Sequence, residues 1–164
     1  MGAVGLNGAA ANAQNPRERL SLAENGWTRW APVNAAAIGV HLVGGTGLLL
    51  ANRERVRNQK GAGTTVVLKT VLTGAALGIT AWSGKLNRDV AAAESEPAHG
   101  ATEPTASTSP KAAAAQKQLR LTQWLIPATT GALIVLGAIQ GEEQRPGAQL
   151  RGRAKQVTKS LPSR

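Results

Sequence analysis

Residues 31–51 read APVNAAAIGVHLVGGTGLLLA, and no residue from Trp30 to Asn52 carries a formal charge. As a helix rising ~1.5 Å per residue, this stretch is ~30 Å long, about the thickness of a bilayer's hydrocarbon core. A soluble amphipathic helix of that length would carry a charged face, and this one has none. The stretch is expected to be a membrane-spanning helix. The rest of the chain reads as two similar spans and their flanks.

The second uncharged window covers 61–84 and is interrupted only by Lys69, which places a helix at 64–83. The third lies between Arg120 and Glu142, with its span at 121–139. Pro127, near the start of that span, frees one backbone carbonyl, which helix bundles tolerate when a neighbour satisfies it. The expected fold is an all-α integral membrane protein with three transmembrane helices. A short N-terminal helix, a disordered-centred outer loop and a basic C-terminal tail complete it.

Composition agrees with this class. The 164 residues are 42% hydrophobic yet include neither Phe nor Tyr, so a compact soluble core would lack its usual aromatic bulk. Chain-wide hydropathy is unremarkable because apolar spans are averaged with polar tails, and local windows carry the signal instead. The absence of cysteine excludes disulfides, thiolate nucleophiles, Cys-ligated zinc and iron–sulfur clusters. Nineteen basic against nine acidic residues give a net charge of +10. Those basic runs flank apolar spans and contain no interleaved aromatic residues, so nucleic acid is not an expected partner. The Ala-, Gly- and Arg-heavy usage points to a bacterial genome rich in G and C.

The flanks follow from the spans. Segment 1–30 begins with small polar residues and lacks the basic and apolar regions of a cleaved signal peptide. Leu6 stands where a myristoylation motif requires Ser or Thr. A short surface helix is expected between Pro16 and Gly26, which read as start and stop. Segment 84–120 has a low-complexity centre, ESEPAHGATEPTASTSPK, expected to be a flexible linker because it offers no apolar anchors. Its two ends, KLNRDVAAAE and KAAAAQKQLR, are helix formers that extend the neighbouring spans. In the tail 140–164, Leu150, Ala154, Val157 and Leu161 form a thin apolar stripe beside basic residues. Together with the basic loop 52–63, this tail is a candidate contact for anionic lipid.

Charge sets the orientation. Segment 52–63 carries a net +3 and segment 140–164 a net +4, whereas 1–30 and 84–120 carry +1 each. The positive-inside rule makes the first two cytoplasmic, leaving the N-terminus outside and the C-terminus inside the cell membrane. Trp27, Trp30, Trp82 and Trp124 then fall together near the outer interface as anchors. Lys69 sits about one turn inside the opposite boundary and is expected to snorkel outward.

Within the spans, Asn34 and His41 are seven residues apart and share a helix face. Thr73 and Thr130 lie at a depth similar to His41, which makes a neutral His–Thr hydrogen bond the expected interhelical contact. Gly39, Gly74 and Gly78 belong to small-xxx-small spacings that suit close helix packing. The sequence contains no phosphate loop, metal-ligand cluster, nucleophile elbow or paired catalytic carboxylates, so neither catalysis nor a cofactor is expected. The reading is a non-enzymatic accessory or scaffold protein, or an oligomeric membrane subunit, partnered by the bilayer and by itself or another membrane protein. In layout the chain also resembles class I phage holins, which implies membrane permeabilisation as the alternative. A transport or redox subunit using His41 is a third option.

Overall fold

The structure, a computed structural model, describes residues 2–58 and 62–143. A π-helical turn at Gly2–Leu6 leads into α1 (Asn7–Ala11), followed by α2 (Arg19–Ala51), α3 (Arg53–Asn58) and α4 (Ala62–Ala91). A two-stranded antiparallel pair, β1 (Ala98–Gly100) and β2 (Glu103–Pro104), precedes α5 (Pro110–Glu143). The fold is mostly helical, and α2, α4 and α5 are long and apolar enough to cross a membrane. At ~1.5 Å per residue these three helices measure about 45–50 Å, well beyond ~30 Å of hydrocarbon. Each therefore has a polar extension. The basic tail beyond Glu143, with its apolar stripe, lies outside the described residues, as does Lys60 of the basic loop.

α4 and α5 form an antiparallel hairpin tied at both ends. Lys111 Nζ meets Asp89 Oδ1 at 2.7 Å, and at the far end Lys69 Nζ donates to Gln140 Oε1 at 3.0 Å. α2 behaves differently. None of its apolar window is buried inside the protein, and every residue from Gly39 to Ala51 is exposed. Its attachment to the hairpin is confined to one end.

That end is a compact head built from the N-terminal segment and the 84–120 connection. Leu20, Leu86, Val90, Ala98, Ala115 and Leu119 bury one cluster, and Ala10, Ala23 and Ala101 pack with Trp27 in a second. Alanine dominates because these elements approach closely enough that larger side chains would not fit. Gly26 shows the same constraint. A Cβ there would lie 2.9 Å from Leu6 Cδ2, so the π-helical turn rests directly on the α2 backbone. Gly26 is accordingly not a helix stop. α2 runs through it, and through Pro32, as one helix from Arg19.

The low-complexity centre of 84–120 is also not the flexible linker expected from its composition. Backbone and short polar side chains order it without apolar anchors. The hydroxyls of Thr105 and Thr108 both donate to the Pro97 carbonyl, at 2.9 and 3.1 Å. Glu96 Oε2 accepts from the Ser109 amide at 2.7 Å, a carboxylate at the N-terminus of α5 where the helix dipole favours it. Pro110 opens that helix, where its missing N–H costs nothing. Arg19 Nη1 donates to the carbonyls of Ala98 and His99 at 3.3 and 3.2 Å, and the Ala98 amide donates to Pro16. Gln116 on α5 is fully buried and donates Nε2 to the carbonyls of Gly100 and Ala101, at 3.0 and 3.4 Å.

The buried Gln116 bonds generate a test. Gln116→Leu keeps the volume but leaves two buried carbonyls unpaired, a loss on the order of 1–3 kcal/mol. Amide hydrogen exchange within 98–104 is expected to accelerate about tenfold or more, while the apolar part of α5 stays protected.

Candidate functional site

Below the head, a cavity of about 600 Å³ separates α2 from the α4–α5 hairpin. Glu24, Trp27, Trp30, Asn34 and Ile38 line it from α2. Thr80, Ser83, Asn87 and Arg88 face it from α4, and Leu119, Thr122, Gln123 and Ile126 from α5. Most of these positions are three or four residues apart, so each helix contributes one stripe. Glu24, Asn87, Arg88 and Gln123 lie toward the head beside apolar Leu20, Val90 and Leu119, whereas Ile38 and Ile126 lie at the other end with Thr80.

Asn7 closes the top. Its Nδ2 donates to Gln123 Oε1 at 3.0 Å, and its Oδ1 accepts from Trp27 Nε1 at 2.9 Å. One side chain thus connects α1, α2 and α5 above the cavity. Ser83 is 9% exposed, and its Oγ is buried without a hydrogen-bond partner. The Thr80 hydroxyl, one turn lower, donates to the Ala76 carbonyl of its own helix at 2.8 Å.

Two head carboxyls are displaced in opposite directions. Glu24 has its pKa raised above the ordinary 4.5 by burial first, then by hydrogen bonding with Glu94 and by that carboxylate's like charge. Asp89 is held below 3.8, chiefly by the hydrogen bond from Lys111 and secondarily by that ammonium's charge. Among the described residues, no group of three or more His, Cys, Asp or Glu is arranged to hold a metal ion.

The sequence-derived positions distribute unevenly over this geometry. Asn34 lines the cavity, whereas His41, two turns further along α2, is exposed. Thr73 is half-buried on α4, and the exposed Thr130 donates to the Ile126 and Pro127 carbonyls of α5, at 2.9 and 3.2 Å. The expected contact from His41 to Thr73 or Thr130 is therefore not formed, because α2 has diverged from the hairpin at that depth. Gly39, Gly74 and Gly78 do not pack among the described residues either, since a Cβ on any of them would meet nothing there within 4 Å. Lys69 reaches the end of the hairpin away from the head. Its ammonium is committed to Gln140.

Trp27, Trp30, Trp82 and Trp124 all stand on the head-side portions of their helices, and Lys85 Nζ lies 4.8 Å from the Trp82 ring centroid in a cation–π contact. Sequence reading missed Glu24, Ser83, Asn87 and Arg88 as a group. Thr80, Ser83 and Asn87, spaced three and four apart at the polar end of a span, were the available signal.

The class defined by this architecture is a helical protein with three membrane-length apolar helices and a packed polar head. No protein-family model, curated protein or solved structure matches the chain.

The Glu24 displacement has a definite sign. A carboxyl whose folded pKa is raised contributes stability that is complete below its unfolded pKa and lost as pH rises through the folded value. Asp89 works oppositely, losing its contribution as pH falls through its lowered pKa. Thermal unfolding followed by tryptophan emission is expected to show the head weakening as pH rises above about 4.5, the ordinary Glu value. Glu24→Gln should flatten that decline and raise the melting temperature at neutral pH.

Proposed function

We propose that the chain is a small, non-enzymatic multi-pass membrane protein whose work is helix packing, as an oligomeric or accessory subunit of the cytoplasmic membrane. Its head faces outward with the N-terminus, and the basic loop and tail face the cytoplasm, where anionic lipid is their natural counter-charge. The observation that carries this reading is the exposure of α2. Among the described residues none of its apolar window is buried, although it contains an imidazole near its middle. An ionisable side chain at that depth is costly when it faces hydrocarbon alone.

A second copy is the partner that best suits α2. A neutral imidazole has one donor and one acceptor, so two His41 side chains related by a two-fold axis satisfy each other. Ala37, Gly44 and Gly45 lie one turn either side of His41 on the same face, which lets two backbones approach. Assembly through α2 would leave the head unobstructed.

Two experiments bear on this directly. The natural chain lacks cysteine, so Leu48→Cys, which is 67% exposed and two turns from His41 on the same face, is a clean cross-linking site. Oxidation in native membranes is expected to yield an adduct of twice the chain mass, whereas Leu133→Cys, buried on α5, should yield none. A Leu48→Cys chain that remains monomeric would remove the oligomeric reading. His41→Gln should preserve the cross-link, and His41→Leu should weaken association by about 1 kcal/mol, roughly fivefold.

Orientation is tested separately. Ala9→Cys and Ser107→Cys, both exposed in the head, should react with an impermeant thiol reagent in intact cells, and Ser160→Cys only after lysis. Labelling of Ser160→Cys from outside would reverse the topology. Controlled expression should also leave the membrane potential intact, whereas abrupt loss after a fixed delay would favour the permeabilising alternative.

A further inference from the structure

Both charged side chains that line the cavity between α2 and the hairpin lie at its head end. At its upper end it has one acid, Glu24 on α2, and one base, Arg88 on α4, on different walls. Asn87 stands beside Arg88, and one turn below it is the buried, unpartnered Ser83 hydroxyl. Further down, Ile38 and Ile126 form an apolar floor, and beyond Ile38 the cavity passes into the exposed apolar surface of α2. Trp27 and Trp30 are also in its wall. Tryptophan concentrates at the headgroup level of a bilayer, which sets the depth at which these charges would sit.

The volume falls within the range of ligand pockets. An occupant must carry a cation and an anion close together, acceptor oxygens just below them, and then hydrocarbon. We propose that this crevice holds the headgroup end of one phospholipid bearing a primary ammonium, with its amine toward Glu24, its phosphate toward Arg88, an ester oxygen at Ser83 and an acyl chain between Ile38 and Ile126. The proposal rests on the spanning arrangement proposed above.

Charge complementarity selects this headgroup over others. A purely anionic lipid satisfies Arg88 but sets its phosphate against Glu24. A choline headgroup has the right charges, yet its quaternary nitrogen has no N–H to donate to a carboxylate. A primary ammonium supplies three donors, and a guanidinium is suited to two phosphate oxygens. A cation at Glu24 also offsets the burial and the Glu94 charge that disfavour its ionised form. Seating an ester oxygen at Ser83 provides the missing partner for a buried hydroxyl.

The test places the full chain in phosphatidylcholine nanodiscs containing minor, equal amounts of phosphatidylethanolamine and phosphatidylglycerol, followed by native mass spectrometry. One phosphatidylethanolamine per chain is expected to remain bound in excess over the other two. Glu24→Gln and Arg88→Gln should each reduce that preference about tenfold, the scale of one charge-assisted bond. Ser83→Ala should lower retention by a smaller factor, and Ser83→Phe should abolish it by filling the crevice. Helix content from circular dichroism and exchange protection of 98–104 report whether each variant keeps its head. A conservative pair, Glu24→Asp and Arg88→Lys, should retain part of the preference if either Gln variant loses the fold.

Equal retention of the three lipids by the natural chain would overturn the proposal. So would a preference unaffected by the Glu24 and Arg88 variants, or a lipid-free dimer in which a second copy occupies the crevice. Failure of the chain to enter the nanodiscs at all would overturn the spanning arrangement instead, and the lipid site with it.

Discussion

Among the described residues α2 packs on the rest of this protein at one end only, and the architecture depends on the polar clamp there. Asn7 accepts from Trp27 and donates to Gln123, so one amide connects the first helical turn, α2 and α5. Arg19 adds a second connection from α2 to the β1 carbonyls. The Asn7 bonds and the Arg19–Ala98 bond are part-buried, which shields them from competing water and strengthens them relative to surface pairs. In contrast, the Lys111–Asp89 pair adds little to stability beyond fixing the hairpin end, because the Lys111 side is solvent-exposed and its long side chain loses entropy. The head therefore acts as a hinge post, and the apolar part of α2 extends from it unsupported.

The head achieves this with unusual material. Among its buried apolar residues alanine is the commonest, and Leu20, Leu86 and Leu119 supply most of the bulk. Such a core gains little from burial per residue, at roughly 25 cal/mol per Å² of apolar area. Backbone hydrogen bonding to side chains therefore takes a larger share. Gln116, Thr105, Thr108 and Glu96 each satisfy backbone groups that a loop would otherwise leave to water. The unpartnered Gln116 Oε1 is the remaining cost of burying an amide there.

This material also explains which parts of the fold were legible in the sequence. The three apolar helices were, because a window of about 20 residues with at most one charge, Lys69 in the second, is a long signal. The head was not. Its stabilising contacts join residues far apart in the chain, such as Asn7 with Gln123 and Arg19 with Ala98, and no local pattern announces them. Low complexity in 84–120 was read as disorder, but ordering came from specific polar bonds rather than from apolar content. Gly26 read as a helix stop because glycine permits one, whereas here its missing Cβ makes room for Leu6. The cavity residues were visible individually, yet their convergence depends on how α2 leans from the hairpin, which a sequence does not encode locally.

The contrast between His41 and Asn34 follows from that lean. Both lie on the same face of α2, but Asn34 remains within the cavity while His41 has passed beyond it. A helix face that is covered near the head and bare two turns later divides α2 into two jobs. The upper part lines a crevice closed by other elements of the same chain. The lower part presents an imidazole, glycines and aliphatic side chains to whatever surrounds the protein. Lipid can cover the aliphatic side chains, since acyl chains are as apolar as leucine, but it offers the imidazole no hydrogen bond. Among the described residues none meets the polar requirement of His41, and it is this residue, more than the apolar area around it, that distinguishes the lower part of α2.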